Sequence, residues 1–387
     1  FHGEACSIFA GPYTVSHHKS TLLIAGLFSF YNAGSGSNQS NHMYKLGPNH
    51  QGILQRGSKT GSFSYMLWPC AVGPFSVVIG KHYGNFDTTG LPFSYINEEE
   101  GKSLLTPAMN LFTVGTRRDS QKWPSRDRRK GKEKLDLIHF DLYSPFIMGK
   151  IWNAITILQN LYDNTPKEID FVQYKGIAIK RLLVKTCRKY YEIALKIFLG
   201  ECILQQLKNV PQEITYSALQ KQFSPDYPIS SPWIDLGGML IDSDTLDRLL
   251  QQIENNQFTD IQEIMSLLRS VYEQYDARKW GWCCRYIESC MGWNMENITK
   301  EQLCQIIGEW KENRTKLNNM IIQDAQKEFD QIARIGYGID GDDTVRDEDF
   351  MQVRGNKETN SFIRELQKEI LELDTIATDM KNRVIAM

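Results

Sequence analysis

All seven histidines of the chain lie within its first 139 residues. Histidine is the side chain best suited to moving protons near neutral pH, because its ordinary pKa is close to that pH. A site that transfers protons through histidine must therefore be built in the first third of the chain or at its border. The candidates are His2, His17, His18, His42, His50, His82 and His139.

Three of these histidines lie close to amide or carboxylate side chains. His50 follows Asn49, His42 follows Asn41, and His82 precedes Asp87 by five residues. His50, His42 and His82, in that order, are the candidates for moving a proton. The alternative for each is a surface or hydrogen-bonded structural role. The polar side chains predicted to contact a substrate are Asn38, Asn41, Lys45, Asn49 and Asp87.

A basic stretch, TRRDSQKWPSRDRRKGKEK at 116–134, contains nine Lys or Arg residues against three acidic residues. Arginine matches phosphate oxygens with paired N–H groups, and the indole of Trp123 offers a stacking face. We predict a phosphate or nucleotide clamp, with a solvated linker as the alternative. The predicted phosphate ligands are Arg117, Arg118, Arg126, Arg128 and Arg129.

Composition excludes several classes of function. The formal net charge is −2, with 41% hydrophobic and 23% charged residues, so a nucleic-acid partner is disfavoured. No apolar run approaches the roughly 20 residues that cross a bilayer. The eight cysteines contain no CxxC pair, so we expect reduced, buried thiols, no metal and a cytoplasmic protein without a secretory signal.

Six related hexads occur before residue 85, each with a small or aliphatic residue followed by glycine. Such self-similarity is typical of short parallel strands stacked in coils, with the aliphatic residue inward. Residues 1–115 are therefore predicted to form a parallel β-helix, with glycine-rich loops between ordinary strands as the alternative. The hexads are AGPYTV (10–15), AGLFSF (25–30), AGSGSN (33–38), LGPNHQ (46–51), VGPFSV (72–77) and IGKHYG (79–84).

Helical periodicity dominates from residue 144 onward. Ser144 is placed as an N-cap before Pro145, and Thr299 with Gln302 forms the pattern of a capping box. We predict a basic junction at 116–143 and a C-terminal helical domain at 144–387. The chain begins with Phe1 rather than Met, and we expect residues to precede it.

The hexads resemble those of the hexapeptide-repeat transferases, in which a histidine on an outer face deprotonates the acceptor. Several segments, including WPCAVGPFSVVIGKHYGNFDTTGLPFSY, WPSRDRR and DFMQVRGNKETNSF, are similar to an uncharacterised Bacteroidetes family. This resemblance covers essentially the whole chain. It implies a left-handed β-helix before a helical domain, acyl-CoA or acyl carrier protein as co-substrate, and sites between subunits of a homo-oligomer.

We therefore expect a transferase that moves an acyl group onto a sugar or sugar nucleotide, with His50 as base and no bound cofactor. The alternative is a ligand-binding or scaffold protein that keeps the fold without the chemistry. Binding of CoA separates the two hypotheses, because only the transferase needs a groove for the acyl donor.

Overall fold

The computed structural model describes residues 3–40, 50–131 and 134–387. Its N-terminal part consists of strands of two to five residues. They are β1 (Glu4–Cys6), β2 (Phe9–Ala10), β3 (Val15–Ser16), β4 (Leu22–Ile24), β5 (Gly26–Phe28), β6 (Asn32–Ala33), β7 (Asn38–Ser40), β8 (Gly52–Leu54), β9 (Lys59–Thr60), β10 (Tyr65–Leu67), β11 (Ala71–Val72), β12 (Val77–Ile79), β13 (Lys81–His82), β14 (Tyr95–Glu99) and β15 (Lys102–Thr106).

These strands form three sheets, and successive strands from β1 to β14 belong to different sheets. The first sheet has the order β1-β4-β7-β10-β13, and the second has the order β2-β5-β8-β11. The third sheet begins with β3, β6, β9, β12 and β14. Side chains alternate across each strand, so Leu23, Leu54 and Val78 are buried between the sheets.

Aromatic rings stack between successive turns of the chain. Phe75 and Phe93 are parallel, with ring centroids 5.1 Å apart, and both residues have positive φ. Gly57, with φ of 75°, lies beneath Phe75, where an added Cβ would be 2.5 Å from the ring. Only glycine fits this turn without displacing the ring.

The remaining elements are mainly helices, with two short hairpins among them. They are α1 (Val114–Ser125), α2 (Pro145–Asp163), β16 (Phe171–Tyr174), β17 (Ile177–Lys180), α3 (Arg181–Asn209), α4 (Tyr216–Phe223), β18 (Trp233–Leu236), β19 (Met239–Asp242), α5 (Ser243–Glu254), α6 (Ile261–Glu273), α7 (Tyr275–Met291), α8 (Lys300–Gln326), α9 (Asp343–Arg354) and α10 (Ser361–Ala386). Short 3₁₀ turns span Met109–Phe112, Met295–Asn297, Lys327–Phe329 and Gln331–Arg334.

The predicted fold class, a left-handed β-helix followed by an all-α domain, is wrong. The chain is α/β, with parallel sheets of short strands and helices packed around a shared hydrophobic core that extends from Leu23 to Val384. In the third sheet β14 and β15 are antiparallel, and β15 then pairs with β17, which lies beyond α2. The hexads mark where short strands turn, but they carry no information on which distant strand completes a sheet.

Local helix signals were predicted correctly. The Ser144 side chain accepts from Ile147 N at the start of α2, and Thr299 and Gln302 form the complete capping box of α8. The helices α3 and α8 approach closely at Gly200, where an added Cβ would lie 2.1 Å from Trp310 Cβ. No helix among the described residues combines the length and apolarity needed to cross a bilayer. The division at residues 116 and 144 into domains stays a prediction.

Candidate functional site

A groove of about 330 Å³ lies between the outer face of the second sheet, α2 and the β18–β19 hairpin. We call it the sheet–helix groove. Its position at the meeting of a sheet, a helix and a hairpin is typical of small-molecule sites. It is lined by Leu27, Phe28, Ser29, Ile53, Leu54, Gln55, Arg56, Phe146, Lys150, Trp233, Ile234 and Asp235.

The apolar floor of the groove follows from strand alternation. Leu27 of β5 and Ile53 of β8 are register partners and point outward, with exposed fractions of 50% and 37%. Their neighbours Phe28 and Leu54 point into the core. Two adjacent aliphatic side chains on the outer face of the sheet form an apolar surface whose exposure to water is unfavourable.

Lys150 of α2 supplies the groove with a cation. Its ammonium lies 5.1 Å above the ring of Phe146, which is four residues earlier and thus on the same helix face. Burial lowers the pKa of Lys150, although the carboxylate of Asp87 acts in the opposite direction. Within residues 3–40, 50–131 and 134–387, Lys150 makes no ion pair.

Asp235 also lines the groove and is already bound within the protein. It accepts hydrogen bonds from Ser29 Oγ at 2.7 Å and from Gly238 N at 2.7 Å. Arg56 Nη1 lies 3.5 Å from the same carboxylate. The charges of Arg56 and Asp235 therefore offset each other, and Lys150 leaves the groove with one excess positive charge.

Arg56 is a buried cation whose other contacts are also internal. Its guanidinium lies 4.0 Å from the ring centroid of Phe30 and donates to the carbonyl oxygens of His139 and Gly238. Burial lowers the pKa of Arg56, and Asp235 counteracts this shift. Arg56 thus joins the second sheet to the hairpin and to the segment before α2.

Three buried polar atoms in the groove wall have no hydrogen-bond partner among the described residues. They are Gln55 Oε1, Arg56 Nε and Trp233 Nε1. Buried polar atoms are nearly always paired, and exceptions are found at strained or functional sites. Two of them follow β8 and the third belongs to β18, so both the sheet and the hairpin contribute such atoms to the groove.

His139 is a buried residue for which the sequence assigned no role. Its ring lies between Tyr272 and Tyr275, with centroid distances of 4.4 Å and 4.0 Å. Nδ1 accepts from Leu240 N at 3.0 Å, so Nε2 carries the proton. Burial lowers the pKa of His139 to about 4. In the sequence, only its position as the last histidine, after the basic stretch, distinguished His139 from the others.

Two of the three predicted bases, His50 and His82, lie among the described residues. His50 is half-buried and lies two residues before β8, which lines the groove. His42 lies outside the described residues, as do Asn41, Lys45 and Asn49. Asn38 is exposed on β7. The role of His50 as a base stays a prediction.

His82 and Asp87 do not form the predicted pair. His82 is buried, its Nε2 donates to the carbonyl of Ile79 at 3.2 Å, and its Nδ1 accepts from Ser103 Oγ at 2.8 Å. Asp87 instead binds Thr89 and lies 2.8 Å from Lys175 Nζ. Both ring nitrogens of His82 are thus occupied by the protein.

Three of the five predicted arginines in the basic stretch are paired with carboxylates. Arg117 lies 2.6 Å from Glu369, Arg118 lies 3.4 Å from Asp119, and Arg129 contacts Asp127 and Asp136. Arg126 ends α1, and the exposed Arg128 follows it. These contacts do not bring the predicted arginines to one phosphate.

Trp123 also lacks the stacking face predicted for it. The indole is buried, with its ring centroid 4.6 Å from that of Phe30 and 5.9 Å from that of Phe75. It attaches α1 to the sheets.

The chain is similar to other proteins that are themselves uncharacterised. Residues 1–162 match a family model described as "Domain of unknown function (DUF4954)", and residues 215–384 match one described as "Domain of unknown function (DUF6819)". An "Uncharacterized protein" of Treponema pallidum (strain Nichols) is 24% identical over 309 residues, which cover 71% of this chain. The chain spans 40% of that relative's length. No solved structure matches the chain.

These matches agree with the predicted membership of an uncharacterised family. They do not identify the family as one of Bacteroidetes, and they assign no activity.

Proposed function

We propose that the protein binds a small molecule with an apolar body and one carboxylate in the sheet–helix groove. The observation that carries this proposal is Lys150, a half-buried cation in an apolar groove with no ion pair among the described residues. A charge removed from water without a partner is unfavourable, and an anionic ligand would remove that cost.

The shape of the groove supports a ligand of modest size. Its volume of about 330 Å³ lies near the lower end of the range found for ligand pockets. Since one water molecule occupies roughly 30 Å³, the groove fits about ten non-hydrogen atoms. Octanoate has this size, an apolar chain for Leu27 and Ile53, and a carboxylate for Lys150.

Charge supports a carboxylate over a cation. The ion pair of Arg56 with Asp235 is internal, and Ser29 also donates to Asp235. A cationic ligand would compete with these donors for Asp235 and would be repelled by Lys150. An anion could pair with the Lys150 ammonium, which has no ion pair among the described residues, while Asp235 keeps its internal donors.

Calorimetric titration with octanoate, octanol and octylamine tests the proposal. We expect octanoate to bind, octanol to bind more weakly and octylamine not to bind. Lys150→Ala should weaken octanoate binding by roughly tenfold, the effect of about 1.4 kcal/mol, while Lys150→Arg retains it. Lys311→Ala is the matched control, because Lys311 is paired with Asp374 and does not line the groove. Equal affinity for octanoate and octanol, or no effect of Lys150→Ala, would contradict the proposal.

A second proposed function is acyl transfer to a sugar or sugar nucleotide. It is favoured by the position of His50, two residues before the strand whose Ile53 and Leu54 line the groove. An acyl group in the groove would then lie along the strand that follows the predicted base. Acyl-CoA or acyl carrier protein would supply the acyl group.

Titration with CoA and acetyl-CoA, followed by chromatographic detection of CoA release with UDP-sugars, tests this second function. We expect His50→Ala to abolish turnover while octanoate binding is retained. Turnover that survives His50→Ala would remove His50 as the base. Absence of CoA binding would leave the ligand-binding function alone.

A further inference from the structure

Three isoleucines close to one another in the chain are almost fully exposed. Ile332, Ile335 and Ile339 have exposed fractions of 81%, 77% and 84%. Isoleucine is among the residues most often buried, and single exposed ones need no explanation. Three of them within eight residues form an apolar surface.

Local geometry places the first two of these side chains together. Ile332 lies within the 3₁₀ turn Gln331–Arg334, Ile335 follows the turn, and Ile335 N donates to Ile332 O at 3.3 Å. Side chains three residues apart in a 3₁₀ turn lie one above the other. Farther along, Gly341 lies against α9, where an added Cβ would be 2.5 Å from Val345 Cβ. Ile339 and Val345 lie farther along the same segment and are also exposed. We call Ile332, Ile335, Ile339 and Val345 the isoleucine surface.

Other residues of this segment contact α9. These contacts account for the outward position of the isoleucines. Arg334 pairs with Asp347 at 2.9 Å and lies 5.4 Å from the ring centroid of Phe350. The ring of Tyr337 packs against Phe350 at 5.2 Å, and Gly338 N donates to Asp349 at 2.9 Å. The polar and aromatic side chains face α9, and the isoleucines face solvent.

The segment that carries the isoleucine surface is acidic. Residues 330–349 contain seven acidic residues and two arginines, so the segment carries a net charge of −5. Both arginines are already paired, Arg334 with Asp347 and Arg346 with Asp343. Asp340 is exposed beside Ile339. A partner for this surface must offer apolar side chains together with positive charge.

We propose that the isoleucine surface docks a basic amphipathic segment of another protein. This inference is independent of the sheet–helix groove and shares no residue with it. Anionic lipid and nucleic acid would be repelled by the surrounding carboxylates. A symmetric contact with a second copy would bring the same negative charges face to face.

Fluorescence anisotropy with a labelled 18-residue helical peptide of leucine and lysine tests the proposal, with a scrambled peptide of the same composition as comparison. We expect the amphipathic peptide to bind. Its affinity should fall at least tenfold in the variant Ile332→Ser/Ile335→Ser/Ile339→Ser. Added salt should lower the affinity for the original protein by about as much. The matched control is Leu182→Ser/Leu371→Ser, which removes equally exposed leucines elsewhere. Circular dichroism shows whether each variant is folded.

Four results would overturn the proposal. They are no binding of the amphipathic peptide, equal binding of the scrambled peptide, unchanged binding by the triple variant, and equal loss in the control variant. Cosedimentation with phosphatidylserine vesicles that depends on the isoleucines would identify a membrane instead. Isoleucine-dependent dimerisation in sedimentation velocity would identify a second copy.

Discussion

Arg56 and Asp235 form an ion pair in which Nη1 lies 3.5 Å from Oδ2, and the arginine side chain has no exposed surface. The pair joins the strand-rich N-terminal part to the β18–β19 hairpin. It also forms one end of the sheet–helix groove, so the same contact shapes the groove and holds together distant parts of the chain.

Removing the cation from this pair should strongly destabilise the protein. Arg56→Met leaves the Asp235 carboxylate without its cation and removes the guanidinium donor of the His139 and Gly238 carbonyls. Breaking a buried pair in this way typically costs about 3–5 kcal/mol, measurable by guanidinium denaturation. Arg354→Met, which breaks an exposed pair with Glu328, should cost at most about 1 kcal/mol. Similar losses in the two variants would contradict the assignment.

Burial of His139 should make stability fall with acidification. Its pKa is about 4 in the folded protein, against 6.5 for the free side chain, so the unfolded chain binds the proton more readily. Above pH 6.5 His139 does not change the free energy of unfolding. As pH falls from 6.5 towards 4, protonation of His139 in the unfolded chain lowers that free energy by up to about 3 kcal/mol. Urea denaturation between pH 7 and 4.5 should show a flatter dependence for His139→Gln than for His17→Gln, because His17 is exposed. Parallel curves for the two variants would argue against this shift.

Trp123 should contribute to stability rather than to nucleotide binding. Trp123→Ala removes a buried indole from Phe30 and Phe75 and should cost about 3–5 kcal/mol, with a smaller loss for Trp123→Phe. Thermal denaturation measures the loss. Quenching of Trp123 fluorescence by nucleotides, in a variant that keeps this tryptophan alone, would be inconsistent with its burial.

The cysteines should divide into two classes on alkylation. All eight are free thiols, and burial raises the pKa of Cys70 and Cys187 to about 12. Iodoacetamide at pH 8 should therefore leave both unmodified until the protein is denatured. Cys6 and Cys290 are exposed, unlike the burial expected from the sequence, and should be alkylated in the native protein. Peptide mass mapping distinguishes the classes, and native labelling of Cys70 would refute its burial.

Features that depend on neighbouring residues could be predicted from the sequence. The N-cap at Ser144 and the capping box at Thr299 each involve side chains within three residues of the backbone groups they bind. The hexads likewise located short strands and turns. Their assembly was predicted incorrectly, because β17 completes the third sheet from beyond α2 and no repeat marks it.

The candidate site was missed for the same physical reason. The sequence singled out His82 with Asp87, but each found another partner, Ser103 and Lys175 respectively. Lys150 has no distinguishing neighbours in the sequence. Its importance arises only from its position opposite Leu27 and Ile53.

The sequence by itself determined where helices begin, where short strands turn, and that positive and negative charges nearly balance. Only the tertiary structure decided which charges are paired, which histidines are buried, and that Lys150 lies unpaired beside an apolar sheet face. Helix caps and turns depend on contacts within a few residues, whereas pairing and burial depend on groups brought together from distant parts of the chain.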